Sequence, residues 1–275
     1  MKVKDVYSML DEKFNFSSAL PYDNPGHLVG SMNDEVKGIV VCLDCTDEAV
    51  TEAIEKGANL IVSHHPVIFD GLKAVTDESI VYRLIRAGIS VISVHTNLDQ
   101  ADGGVNDALC QKVGLKNVEK VADHEGFLYR IGELEEPLTA DGFAERIAES
   151  LDYPVKYVGT NTHIKRVAVC SGSGGSMLCE VAEQGIDAYL TADIKHDVFM
   201  DAHALGIALF DAGHFGTEDI VVAPLAEELK KAFPETEVFE NHFSPIKFAR
   251  YVYENGCFGW RFHLRMVFSV RCKGA

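Results

Sequence analysis

The chain has 275 residues, 47% hydrophobic and 24% charged, a soluble-globule composition with room for two domains or one large α/β unit. Its 25 basic against 42 acidic residues leave a net charge of −17, which argues against a nucleic-acid backbone as the main partner. No apolar run approaches the ~20 residues of a membrane helix, residues 1–6 lack a signal-peptide core, and seven cysteines, an odd count, speak against a secreted disulfide framework, so the cytoplasm is the expected compartment.

A helix is expected over about residues 3–13, a short strand near 27–31, and a β-branched strand over 38–43 that carries Cys42. The next helix ends at Gly57, where a C-cap favours a left-handed residue. Strand 58–63 then runs into Ser63-His64-His65-Pro66, and strand 91–94 into His95-Thr96-Asn97-Leu98-Asp99. The pattern restarts with a helix at about 139–151 and strands at 155–160 and 166–170. A helix ends at Gly185, strand 186–191 leads to Thr191-Ala192-Asp193, and strand 207–211 precedes Gly213-His214-Phe215-Gly216-Thr217-Glu218. Cys42, Glu52, Glu55 and Gly57 recur as Cys170, Glu180, Glu183 and Gly185, each 128 residues later.

Strands alternating with helices at this spacing imply an α/β fold built twice over, each copy with a largely parallel sheet. Residues 1–125 are assigned to the first repeat, 126–250 to the second and 251–275 to an atypical tail. Within that tail, residues 260–272 alternate apolar side chains with mostly Arg or His, the pattern of a strand with one cationic face. The paired positions of Cys42 and Cys170 read as duplicated packing, although Cys42 and Cys45 form an isolated C-x-x-C.

Each of the four strand-end segments puts imidazole or carboxylate where open α/β sheets bind ligands. A metal needs such groups from several strands, because one strand end cannot fill a coordination sphere. His65 follows Gly57 by eight residues and Asp193 follows Gly185 by eight, while His95 and His214 follow Gly88 and Gly206 by seven and eight. A site between two facing halves is therefore expected. Adjacent strand residues point to opposite faces, so His64 and His65, diverging at Pro66, suit two ions better than one. The expected ligands are His64, His65, Asp99, His214 and Glu218, with the Glu218 carboxylate able to bridge. Two such dications share a water of lowered pKa, a hydrolytic nucleophile.

His95 suits a ligand, a group orienting a ligand, or a proton shuttle. Asp193 and His196 suit either the site or helix capping, and His95 and Asp193 are the candidate catalytic acid–base groups. His27, His124, His163, His203, His242 and His263 read as ordinary surface or core histidines. Ser171-Gly172-Ser173-Gly174-Gly175 lies between a strand and a helix, where amides can hold phosphate or merely turn the chain.

Together with Asp23-Asn24-Pro25-Gly26 and Gly103-Gly104-Val105-Asn106, these segments resemble the motifs of the NIF-three-like, dinuclear-metal-centre hexameric proteins, many of them described as GTP cyclohydrolase 1 type 2 homologues. The resemblance spans about residues 1–245. It implies two intertwined α/β repeats and a homohexameric toroid whose metal sites face an inner cavity. It also implies iron, zinc or manganese-like ions, His64 and Asp99 holding one, His65 and His214 the other, and Glu218 bridging. The implied activity is hydrolysis of a small nucleotide-like molecule, with a phosphoesterase or a non-catalytic metal-binding assembly as alternatives. The chain departs from the family pattern at Ala192, where glycine is usual, and in its C-terminal extension.

Overall fold

The computed structural model describes residues 1–160 and 163–248; the expected cationic strand at 260–272 lies outside them. Met1–Phe243 forms one unit and the chain from Ser244 a second, whose described residues, 244–248, form no helix or strand.

In chain order the first copy contributes α1 (Val3–Phe14), β1 (Gly26–Val29), β2 (Ile39–Cys42), α2 (Asp47–Lys56), β3 (Leu60–Ser63), α3 (Ile80–Ala87), β4 (Ser90–Ser93), α4 (Thr96–Gln100) and α5 (Val105–Lys112). A hairpin follows, β5 (Lys116–Ala122) and β6 (Leu128–Leu138). The second copy gives α6 (Ala140–Leu151), β7 (Lys156–Val158), β8 (Ile164–Val169), α7 (Leu178–Ala182), β9 (Ala188–Thr191), α8 (His196–Leu205), β10 (Ala208–Asp211), α9 (His214–Glu218), α10 (Val222–Ala232) and β11 (Val238–Asn241).

The strands form two sheets, ordered β1-β4-β3-β2-β11 and β7-β10-β9-β8-β6-β5. Within each, three successive neighbours run parallel (β4-β3-β2 and β10-β9-β8), with a short antiparallel strand, β1 or β7, on the outer flank. This shared four-strand module is the repeat. Beyond it the sheets differ: β11 adds parallel to β2, whereas β6 adds antiparallel to β8 and carries β5. The chain therefore returns from its second copy to finish the first sheet. The hairpin has no counterpart in the expected elements, because β5 is exposed along almost its whole length and alternates no apolar face.

Both faces of each parallel core are covered, which explains its largely apolar strands. One face of the first sheet (Ile39, Val41, Leu60, Val62, Ile92) packs on α1 and on Val222, Leu225 and Leu229 of α10. The other (Val40, Cys42, Ile61, Val91) packs on α2 and α3. In the second sheet Val167, Val169, Leu190 and Phe210 meet α6 and Leu109 and Cys110 of α5, while Ala168, Tyr189 and Leu209 meet α7 and α8. So α10 of the second copy serves the first core and α5 of the first copy serves the second. The two α/β repeats are intertwined by this exchange.

The register of the repeat changes midway. β3 and β9 keep the 128-residue spacing, but β4 and β10 are 118 apart, so His95 and Gly213 are the corresponding N-caps of α4 and α9. His95 and His214 thus both approach His65 without being equivalents in the repeat. Ala192, where the family pattern has glycine, is buried and has no positive φ; the left-handed conformation falls on Asp193 (φ 54°), a residue type that tolerates it. Cys42 and Cys170 are buried, and burial pushes the Cys45 and Cys170 thiols up to about 12, which leaves no reactive thiolate at the C-x-x-C.

Candidate metal centre

The C-terminal ends of β3 and β4 and the helices α4 and α9 converge in a cluster of imidazoles. Ring centroids lie 5.1 Å apart for His64–His65, 5.3 Å for His64–His95, 5.6 Å for His65–His95 and 5.2 Å for His65–His214. Three trios each bring one donor atom per residue within 4.8 Å of the others: His64, Asp99 and Glu218; His65, His214 and Glu218; and His64, His65 and His95. Glu218 is common to the first two.

The orientation of each ring is set from behind. His64 Nδ1 lies 2.7 Å from the Val94 carbonyl, His65 Nδ1 2.7 Å from Asp44 Oδ1, His95 Nδ1 2.7 Å from Asp23 Oδ1, and His214 Nδ1 2.7 Å from Asp193 Oδ2. Every partner is an acceptor, so every Nδ1 carries a proton and donates it. For His64, His65 and His214 the other nitrogen turns inward. His65 Nε2 and His214 Nε2 each stand 2.9 Å from Glu218 Oε2 and 3.3 Å from one another. His64 Nε2 lies 3.4 Å from Asp99 Oδ1 and 3.8 Å from Glu218 Oε2.

The burial is graded. Glu218 and the His64 ring are closed off, whereas His214, Asp44 and Asp193 stand at an open rim. Burial opposes charge on His65, but Asp44 and Glu218 outweigh it and push its pKa up to about 10; for His214, Glu218 and Asp193 do the same, to about 9. Glu218 is held well below the usual carboxylate range by His214 and His65 despite its burial. Asp23 is lowered to about 2: burial raises it, and bonds from His95, from the Thr96 hydroxyl (2.5 Å) and from the Thr96 amide (3.0 Å) outweigh burial.

These residues fit a divalent cation on one observation above all. His64 Nε2 is fully buried, makes no hydrogen bond, and faces two carboxylates. A buried polar atom without a partner is rare, and a cation between it and Asp99 and Glu218 would satisfy all three. The donor set holds no thiolate, which suits iron, zinc or manganese.

His196 is exposed at the start of α8, and the structure gives it no bond to the cluster. The Ser171–Gly175 loop is no phosphate cradle. The Ser171 amide donates to Asn106, the Gly172 amide to Thr217 Oγ1 and the Gly174 amide to Thr191 Oγ1, while Ser173 Oγ donates to Asp193. Asp44 was not among the expected site residues, and Asp23 and Asn106 entered only through their motifs. An acid directly past the end of β2, beside its sister strand end at β3, was the available signal for Asp44. A separate group joins Asp123 and His124 of the β5–β6 turn to Glu180 of α7. Among the described residues no helix is long and apolar enough to cross a membrane.

The sequence profile described as Duf34/NIF3 (NGG1p interacting factor 3) matches residues 1–248. A relative named GTP cyclohydrolase 1 type 2 homolog from Clostridium acetobutylicum is 32% identical over 265 residues, covering 90% of this chain and 99% of its own. One of the same name from Lactococcus lactis subsp. lactis is 34% identical over 251 residues, covering 88% and 96%. Among solved structures, the Staphylococcus aureus hypothetical protein SA1388 superposes with a TM-score of 0.86 at 31% identity, covering 90% of this chain and 99% of that one.

Proposed function

Because the chain belongs to the DUF34/NIF3 family, we propose that it is a dinuclear divalent-metal-dependent hydrolase acting on a small nucleotide-like molecule. The proposal is carried by two donor trios that meet at Glu218, with Nδ1 of each ring held by an acceptor behind it, so that Nε2 is the nitrogen aimed at the ion and gives up its proton on binding. His64, Asp99 and Glu218 would hold one ion, and His65, His214 and Glu218 the other. When bound, the pair supplies Lewis-acid polarisation of the substrate and a water of lowered pKa.

The chain's own groups do the rest. Asp44 and Asp193 hold His65 and His214 in register. His95 accepts a proton at Nε2, and Asp23 at Nδ1 stabilises the resulting imidazolium, an acid–base pair beside the cluster. Asp193, at the open rim, is the second group placed to move a proton. The closed His64 end excludes water, and substrate enters past His214. The assembly we propose is a cytoplasmic homohexamer, as the resemblance implies; native mass spectrometry reports its subunit count.

The relatives' name makes GTP the first substrate to test. Purified protein should carry about two transition-metal ions per chain by elemental analysis, and one or none overturns the two-ion site. The loaded protein should release formate from GTP and lose that activity in His65→Ala. Formate release unchanged by that substitution overturns the mechanism, phosphate in place of formate assigns a phosphoesterase, and full metal loading without turnover assigns a non-catalytic assembly.

A further inference from the structure

Asn106 takes no part in the metal-binding reading, yet it is fully buried at the seam between the two copies. Its amide bonds in two directions. Nδ2 donates to the backbone carbonyl of Asp99 (3.1 Å), and Oδ1 accepts from the backbone N–H of Ser171 (2.7 Å). Asp99 sits on α4 in the first copy, and Ser171 follows β8 in the second. Beyond Ser171, the Gly172 amide donates to Thr217 Oγ1 (3.1 Å), on the residue before Glu218. Gly172 also lies so close to Glu218 that a Cβ on it would stand 2.1 Å from Oε1. One side-chain amide therefore links the segment that carries Asp99 to the segment that carries Glu218.

The approach of α5 to α4 is fixed by the same stretch of chain. A Cβ on Gly104 would stand 1.8 Å from the Leu98 carbonyl oxygen, so a larger residue there would lift α5, and Asn106 with it, off α4. A five-residue helix cannot hold its own last carbonyls, which need partners from elsewhere. Asn106 takes that of Asp99. Arg130 on β6, ion-paired with Asp107 of α5, donates to those of Gln100 (3.2 Å) and Ala101 (2.9 Å).

We propose that Asn106 is a positioning residue that sets the separation of the Asp99 and Glu218 carboxylates, and so decides whether two dications sit as a bridged pair or as independent ions. The proposal rests on the two-ion reading above. Only an amide offers one donor and one acceptor in this shape. Aspartate would still accept from Ser171 but would turn no donor toward the Asp99 carbonyl.

The test is electron paramagnetic resonance of the manganese-loaded protein. A carboxylate-bridged Mn(II) pair gives an exchange-coupled multiline spectrum, and separate ions give the plain hyperfine sextet. Wild type should show the coupled spectrum. Asn106→Ala and Asn106→Asp should show the sextet and bind one equivalent about tenfold more weakly or less. Gln111→Ala, which removes an exposed amide from the same helix, should stay coupled. A wild type with no coupled signal overturns the two-ion reading and this inference with it. A coupled wild type with an unchanged Asn106→Asp overturns the positioning role alone. Circular dichroism of the metal-free variants completes the test: if both Asn106 variants fail to fold, the amide serves the fold and the inference is likewise overturned.

Discussion

Gly172→Ala probes the space around Glu218 more directly than removing a ligand does. Gly172 has φ +59°, and a Cβ there would meet Glu218 Oε1 at 2.1 Å and His214 Cε1 at 3.3 Å. The left-handed backbone alone costs an alanine about 1–2 kcal/mol. To regain an ordinary carbon–oxygen contact of roughly 3.3 Å the carboxylate must retreat by about 1 Å. That retreat is resisted, because Oε2 is held at 2.9 Å by both His65 and His214 and the side chain is buried. Losing one such charge-assisted bond costs about 1.5–3 kcal/mol, so the total destabilisation of the metal-free protein comes to about 2.5–5 kcal/mol. Gly185→Ala is the internal control: φ is +66° with nothing within 4 Å, so only the backbone part applies. Urea denaturation measures both variants, and competition with a chromophoric chelator measures metal affinity. Equal destabilisation of the two variants, or unaltered affinity in Gly172→Ala, would refute the claim that Gly172 makes room for Glu218.

The remaining predictions concern protons and the carboxylates behind the rings. In metal-free protein the folded-state pKa values of His65 (about 10) and His214 (about 9) lie above the ordinary imidazole value, so their contribution to stability is fully present below about pH 6.5 and is lost as pH rises through 9–10. Glu218 is lowered, so its contribution is present above the ordinary carboxylate range and is lost on acidification. The metal-free Tm should therefore fall from about pH 6.5 to about pH 10, the span between the free and the folded imidazole titrations; a flat profile there refutes the assignment. Metal binding near pH 7 should release protons, since a dication replaces those on the inward nitrogens, and calorimetry in buffers of different ionisation enthalpy counts them. Asp44→Ala should weaken metal affinity about 10–100-fold while Asp44→Asn, which still accepts from His65 Nδ1, should weaken it less. Identical affinities for the two variants would remove the orienting role of Asp44.

Much of this was legible because burial on both faces leaves a strong trace. The apolar runs before Ser63, Val94, Thr191 and Asp211 are read as strands, and the polar residues just past them stand out. His64 and His65 differ in burial, one closed off and one nearer the rim, but both rings turn toward Glu218 rather than to opposite faces. Other features left no local trace. The β5 strand is solvated and lacks alternation, and nothing in the apolar stripe of α5 or α10 says which sheet it will cover. Asn106 acts through backbone groups of Asp99 and Ser171, which carry no side-chain signature. The register change between β3/β9 and β4/β10 hid the fact that His95 corresponds to Gly213.

The exchange of α5 and α10 has a consequence for how the protein is made. The first sheet pairs residue 39 with residue 238, and its core waits for Leu225 and Leu229. A chain emerging from the ribosome therefore holds one face of β2 to β4 covered only in part, by α1, until nearly all of the described unit has been synthesised. His64 spends that interval without Glu218, so a competent metal pair is an event of chain completion and cannot serve as a seed for folding.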